Sequence, residues 1–214
     1  MPLSPGSEIV VLEDKGVRGF IHRPRRIRAG LVLTHGAASD CNHHLLVKTA
    51  NALCSAGFAV LRCDLTSRQT GGPPPSPISV LDRAVLKNAA LYFRDLIRAD
   101  VLLGGFSNGA RQATMLAAED PSLAIGLLLL AYPLHPRQKP KELRDQHFPQ
   151  IQTPCLFVHG TVDPYGSAPE MRRAMALIPA RKRLVLMADV AHDLGGEAFE
   201  AAPVSAAVLS WFDL

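Results

Sequence analysis

The stretch that decides the fold is Val101–Glu119, VLLGGFSNGARQATMLAAE. A short apolar run leads into Gly105-Phe106-Ser107-Asn108-Gly109, and an Ala-rich pattern with helical spacing follows. A β-strand ending on a serine that opens a helix is a sharp corner. It holds the hydroxyl up at the end of the strand. The G-x-S-x-G spacing has a steric reason, because side chains at Gly105 and Gly109 would collide with the neighbouring strand and helix. At a helix N-terminus, unpaired amides and the helix dipole also favour negative charge developing at Ser107.

Outward from this corner, apolar runs of strand length alternate with helical patterns. Upstream, EIVVLE and GVRGFIHRP flank Asp14-Lys15 and predict an antiparallel hairpin. Ala29–Gly36 predicts a buried strand. A helix is expected over Asn42–Ser55, with Leu45, Leu46, Ala50, Leu53 and Cys54 on one face. Phe58–Asp64 predicts the next strand. GGPPPSP (Gly71–Pro77) is neither helix nor central strand and is expected to be an exposed loop. Ser79 is expected to cap a helix that runs to Ile97, ahead of a strand over Asp100–Phe106. Downstream, Ala124–Pro133, Pro154–Gly160 and Lys182–Asp189 predict three more strands. Helices are expected near Pro169–Ile178 and Glu197–Phe212. Such alternation predicts an α/β fold in one domain, residues 1–214: a mostly parallel central sheet with helices on both faces. Only twenty residues, Leu134–Thr153, separate the strand that follows the Ser107 helix from the next strand, so no large lid domain is expected.

Composition narrows the function. The chain has 214 residues, 48% hydrophobic and 20% charged, with formal net charge +4 and pI near 9.0. The basic excess sits largely in HRPRRIR (His22–Arg28) and PRQKPKELR (Pro136–Arg144), read as solvated loops. Aromatics make up only 6%, so no basic face interleaved with aromatics argues for nucleic acid. The longest apolar run is too short to span a bilayer. The N-terminal residues lack a basic segment followed by an apolar one, so no signal peptide or membrane association is expected and the location is read as cytoplasmic. Cys41, Cys54, Cys63 and Cys155 have neither metal nor disulfide spacing and read as free thiols. His43 and His44 are adjacent on a helix and point about 100° apart, which rules against a shared metal ion. No metal and no cofactor are expected.

In open α/β sheets, ligands gather beyond the C-terminal ends of the strands. Beyond successive predicted strands here stand His35-Gly36-Ala37, Ser107, Thr161-Val162-Asp163 and His192. Ser107 needs a base to take its proton at neutral pH, and His192 is the candidate. Asp163 is the candidate to fix the imidazole tautomer. Asp189 and Asp193 lie too near His192 in sequence to hold its ring from across a site. For acyl transfer, the oxyanion donors expected are the backbone N–H groups of Asn108 and of Ala37, rather than Ala38. His35 is read as structural. Tyr132, His135, His43 and Tyr165 are expected to line the pocket.

These residues carry a resemblance. LTHGAASDCNHHLL, AYPLHPRQKPKELRDQHF and TPCLFVHGTVDPYG resemble the α/β-hydrolase superfamily. More narrowly, they resemble the testis-expressed hydrolase-like proteins and the NSL histone-acetyltransferase complex subunit 3, with dienelactone-hydrolase-like proteins more distant. The resemblance implies an α/β-hydrolase fold with a triad at Ser107, Asp163 and His192. The reading that follows is a serine hydrolase of small carboxylic esters or thioesters, its partner a small-molecule ester. The alternative is a hydrolase-like scaffold or protein-interaction module, since one branch of that family belongs to a chromatin complex.

Overall fold

A computed structural model describes residues 8–14, 16–37, 39–66, 68 and 80–212. Eight strands form one sheet: β1 (Glu8–Asp14), β2 (Val17–Arg23), β3 (Ala29–Thr34), β4 (Phe58–Cys63), β5 (Val101–Phe106), β6 (Gly126–Leu130), β7 (Cys155–Gly160) and β8 (Lys182–Met187). Their order across the sheet is β1-β2-β4-β3-β5-β6-β7-β8. The β1–β2 and β2–β4 pairs are antiparallel, and every pair from β4 to β8 is parallel. Among the described residues, five longer helices flank the sheet: α1 (His44–Ser55), α2 (Val80–Ile97), α3 (Asn108–Glu119), α4 (Ala168–Met175) and α5 (Ala202–Phe212).

The expected hairpin, strands and helices are all present, with ends shifted by a few residues. The final helix starts later than expected, at Ala202, after a 3-10 turn at Gly196–Ala198. The expected loop at Gly71–Pro77, the Ser79 cap, Lys15 of the hairpin turn and Ala38 lie outside the described residues.

Alternate residues of each central strand face opposite sides of a sheet, and the core divides accordingly. Val32, Leu61 and Leu103 pack with Phe93 of α2, Ala113 of α3 and Met171 of α4. Leu31, Leu33, Val60 and Leu128 face the other way, against Leu45 and Leu53 of α1 and Val208 and Phe212 of α5. Both faces are therefore covered, which is why β3 to β7 read as near-continuous apolar runs. Each Val, Leu, Phe or Met side chain among them contributes roughly 1.5–3 kcal/mol on leaving water. The α1 face predicted from spacing, Leu45, Leu46, Ala50, Leu53 and Cys54, is buried throughout.

One expectation fails at the edge. His22 belongs to no solvated loop: it lies in β2, fully buried, and accepts a 2.7 Å hydrogen bond from Arg62 Nε on neighbouring β4. The apolar environment of a two-sided sheet draws His22 and Arg62 inward as a pair, since neither polar group can be buried alone.

Candidate active site

The site forms where β3, β5, β7 and β8 end on the same side of the sheet. Ser107 follows β5 directly and serves as the N-cap of α3, with φ 53° and ψ −112°. Positive φ costs a residue bearing a Cβ roughly 1–3 kcal/mol unless its surroundings enforce it. Here they do. The Ser107 N–H donates to Leu130 O of β6 at 2.9 Å, and its carbonyl accepts from Arg111 N at 3.1 Å. A β-carbon at Gly105 would meet Thr34 O at 2.5 Å, and one at Gly109 would meet the backbone of Thr34 and His35. The two glycines let β5 and α3 close around the β3 end.

His192 lies beyond β8 with its side chain 19% exposed. Its Nε2 stands 2.8 Å from Ser107 Oγ, and its Nδ1 stands 2.8 Å from Asp163 Oδ2. The Asp163 side chain has no exposure, and its Oδ1 accepts the Tyr165 N–H at 2.8 Å. A carboxylate on Nδ1 requires the proton there, which leaves the Nε2 lone pair to accept from the Ser107 hydroxyl. The structure thus brings together the three residues that the sequence singled out. Asp189 is instead a positive-φ residue (57°) whose N–H donates to Thr161 Oγ1 at 2.9 Å.

The loops bearing the acid and the imidazole are stitched to each other. Thr161 N donates to Met187 O at 3.0 Å and Val162 N to Val190 O at 3.2 Å. A β-carbon at Gly160 would strike the carbonyls of Val190 and Ala191, so only glycine permits this approach.

The loop after β3 lies beside Ser107, with Gly36 packed against Phe106 and the Ser107 Cβ. His35 holds that loop from beneath. Its Nδ1 donates to Gly36 O at 2.9 Å and its Nε2 accepts from Leu65 N at 2.9 Å, while burial pushes its pKa down. Those partners fix a neutral ring and a structural role. Ala37 is exposed at this loop, and Asn108 is the first residue of α3. The N–H groups in the first turn of a helix have no partner within it.

Four further residues were expected to line the pocket. His43 caps α1, its Nδ1 accepting from Leu45 N at 3.4 Å, and stacks on Phe106 at 5.0 Å between ring centroids. Tyr165 packs on His192, with centroids 4.4 Å apart. His135 is buried, with Nε2 3.7 Å from Glu170, and its backbone N–H donates to Tyr165 O at 3.1 Å. Tyr132 is no wall residue. It is fully buried against Phe148 and Phe157, and its hydroxyl donates to Arg144 O. The cause lies one residue earlier, where Ala131 at φ 48° turns the chain under α3.

Sequence reasoning missed two contributors. Phe106 lies between His43 and His192, its centroid 5.4 Å from the latter. His159, inside β7, is fully buried with Nε2 3.7 Å from Asp163 Oδ2. The i,i+4 spacing from Asp163 was the available signal. The Leu134–Thr153 interval makes one 3-10 turn, Phe148–Gln150.

With this geometry, the chain defines itself as an α/β hydrolase. Residues 27–201 match the family described as alpha/beta hydrolase domain, and the chain belongs to that family. It is similar to the crystal structure of dienelactone hydrolase from Anabaena variabilis, with TM-score 0.79, 20% identity and 97% of each chain covered. A Xanthomonas campestris protein, a member of the α/β serine hydrolases without a lid, matches at TM-score 0.73 and 17% identity. That match covers 100% of this chain and 97% of that one. Est1E from Butyrivibrio proteoclasticus with ferulic acid bound matches at TM-score 0.75 and 14% identity, covering 96% and 100%. The α/β-hydrolase fold is thereby shared. No helix among the described residues is long and apolar enough to cross a membrane.

Proposed function

We propose that the protein is a serine hydrolase that cleaves small carboxylic esters or thioesters through an acyl-enzyme. The observation that carries the reading is the unbroken hydrogen-bond series Ser107 Oγ, His192 and Asp163, each link 2.8 Å, on a serine held at positive φ. Ser107 Oγ bonds to the acyl carbon as its proton passes to His192 Nε2. Asp163 holds the Nδ1–H and stabilises the imidazolium. The amides of Ala37 and Asn108 receive the oxyanion. As the tetrahedral species collapses, the bond to the alcohol or thiol breaks and Nε2 returns the proton to that leaving group. Water then attacks the acyl-enzyme, gives its proton to Nε2, and the acid leaves as Ser107 Oγ recovers that proton. No metal or cofactor enters this scheme.

His43, Phe106 and Tyr165 supply ring faces around the Ser107–His192 couple, which suits a compact substrate. The dienelactone hydrolase and the ferulate-bound neighbour give the same leaning towards small acids. We also assign the narrower kinship, with the testis-expressed and NSL-subunit-3-like proteins, to this proposal. Its support is the YPLHP…LRD segment, folded back on itself by Arg144 N on Leu134 O at 2.8 Å.

The test is labelling by a fluorophosphonate, with the adduct located by mass spectrometry. Phosphonylation of Ser107 that disappears in His192→Ala is expected. Folded protein that resists this probe and a smaller one across several pH values would favour the hydrolase-like interaction module instead.

A further inference from the structure

We infer that His159 is a positioning residue for Asp163: a neutral imidazole whose Nε2–H fixes the turn that presents the carboxylate to His192. The inference rests on the hydrolase reading only for its kinetic consequence.

Three observations carry it. The His159 side chain has no solvent exposure, and its Nε2 stands 2.6 Å from Gly166 O. The same nitrogen lies 3.7 Å from Asp163 Oδ2, the oxygen that meets His192. Both neighbours are acceptors, so Nε2 must carry the proton and donate. Nδ1 is then left bare, and it is buried without a hydrogen-bond partner in the structure. A second proton there would find no acceptor, so the ring stays neutral. Burial pushes the His159 pKa down to the same end.

A neutral donor is what this place requires. Asp163 ends a tight segment in which Asp163 N donates to Gly160 O at 3.3 Å and Gly166 N to Asp163 O at 3.4 Å. These two turn bonds are long, so they constrain the segment weakly. The 2.6 Å bond from His159 to Gly166 is shorter than these and than the 2.8 Å bond from Tyr165 N to Asp163 Oδ1, and it clamps the far end of the turn from inside β7. A cation in its place would compete with His192 for the Asp163 charge and weaken the base. A hydrocarbon in its place would leave Gly166 O buried and unpaired. His159 Nε2 also lies within 3.7 Å of Asp163 Oδ2, beyond hydrogen-bond distance, so the polar N–H adds field there without charge.

The experiment compares wild type with His159→Leu, His159→Gln and His159→Asn. The Gln amide nitrogen reaches the position of Nε2, and the shorter Asn does not. Each protein is assayed for p-nitrophenyl acetate hydrolysis and for fluorophosphonate labelling of Ser107. Thermal unfolding is followed by circular dichroism, and the low-field proton NMR signal of His192 Nδ1–H is recorded in water. Leu and Asn are expected to lower kcat by about tenfold or more with KM within about twofold, because the fault is misplacement of a catalytic group rather than lost binding. The low-field proton is expected to broaden or vanish in both. Gln is expected to recover kcat to within about threefold of wild type, with the signal restored. Wild-type kcat and an intact low-field signal in His159→Leu would overturn the proposal. So would a folded Gln variant as impaired as Asn. If Leu fails to fold, the Gln–Asn pair decides alone. If wild type neither labels nor hydrolyses, the hydrolase reading falls, and the NMR signal still judges His159: present in wild type and Gln but lost in Asn upholds it, present in Asn refutes it.

Discussion

A β-carbon on Gly105 would stand 2.5 Å from the carbonyl oxygen of Thr34, its register partner on β3. The same added atom would meet the backbone of Gly109 at 2.7 Å. No flexible side chain can give way here, because every obstacle is backbone. Gly105→Ala is therefore expected to destabilise the fold by about 2 kcal/mol or more. Urea unfolding would measure it. A change below about 0.5 kcal/mol would show that the elbow is looser than its geometry implies.

Ser107 carries strain that only glycine relieves. At φ 53° and ψ −112°, Ser107→Gly removes the Cβ penalty, whereas Ser107→Ala keeps it. Both variants are expected to lose fluorophosphonate labelling entirely. Only the glycine variant is expected to gain stability, by about 1 kcal/mol, read as a rise of about 2–4 °C in Tm. Equal melting temperatures for the two would remove strain from the account of the site.

Asp163 divides its oxygens between Tyr165 N and His192 Nδ1. Asn has one oxygen. If it keeps Tyr165, its amide faces Nδ1 as a donor and selects the tautomer that cannot take the Ser107 proton. Asp163→Asn is expected to fold normally and to lower kcat by about 10⁴-fold, measured on an activated ester. A loss under about tenfold would mean that another group orients His192.

Acid is expected to weaken the fold through His22. Burial and the neighbouring Arg62 guanidinium lower its pKa from 6.5 to about 4 in the native state. Between those values the unfolded chain binds the extra proton, so stability is full above about pH 6.5 and falls as pH drops towards 4. The loss is on the order of 2–3 kcal/mol. His147, also lowered to about 4 by burial, adds in the same direction. His22→Gln keeps an acceptor for Arg62 and cannot be protonated. Its Tm is expected to fall less steeply from pH 7 to pH 4 than that of wild type, and an unchanged slope would assign the acid sensitivity elsewhere.

Tyr132 provides the contrast between core and wall. Tyr132→Phe removes the hydroxyl that donates to Arg144 O and is expected to cost about 1 kcal/mol of stability with kcat and KM unchanged. A changed KM with unchanged stability would return Tyr132 to the pocket.

The contrast also shows what sequence carries. Ser107, Asp163 and His192 were legible because each follows its own strand, and the parallel sheet delivers every strand end to the same side. The chain order and the glycine spacing around Ser107 reported a backbone requirement that one-dimensional pattern expresses directly. Tyr132 follows a strand end too, but its direction depends on a positive φ at Ala131, a residue with no conformational signature. His159 sits in CLFVHG, where it reads as one more buried strand residue. Its meaning depends on Gly166, whose carbonyl reaches it only once the turn has closed. His22 was misread for a related reason. Its neighbours PRRIR are basic, and only the pairing of β2 with β4 brings Arg62 against it.

β6 supplies none of the three side chains in the hydrogen-bond series, yet it separates β5, which ends at Ser107, from β7, which leads to Asp163. Strands stand about 4.8 Å apart, so the two elements are roughly 10 Å from axis to axis. One imidazole and its pair of 2.8 Å hydrogen bonds bridge much of that gap. The hydrogen-bonded backbone of β6, Gly126–Leu130, therefore acts as a gauge block, setting by its own width how far apart acid and nucleophile are machined. Wear on that block, through a bulge or a slipped register, would be felt as lost turnover in a molecule that still looks folded.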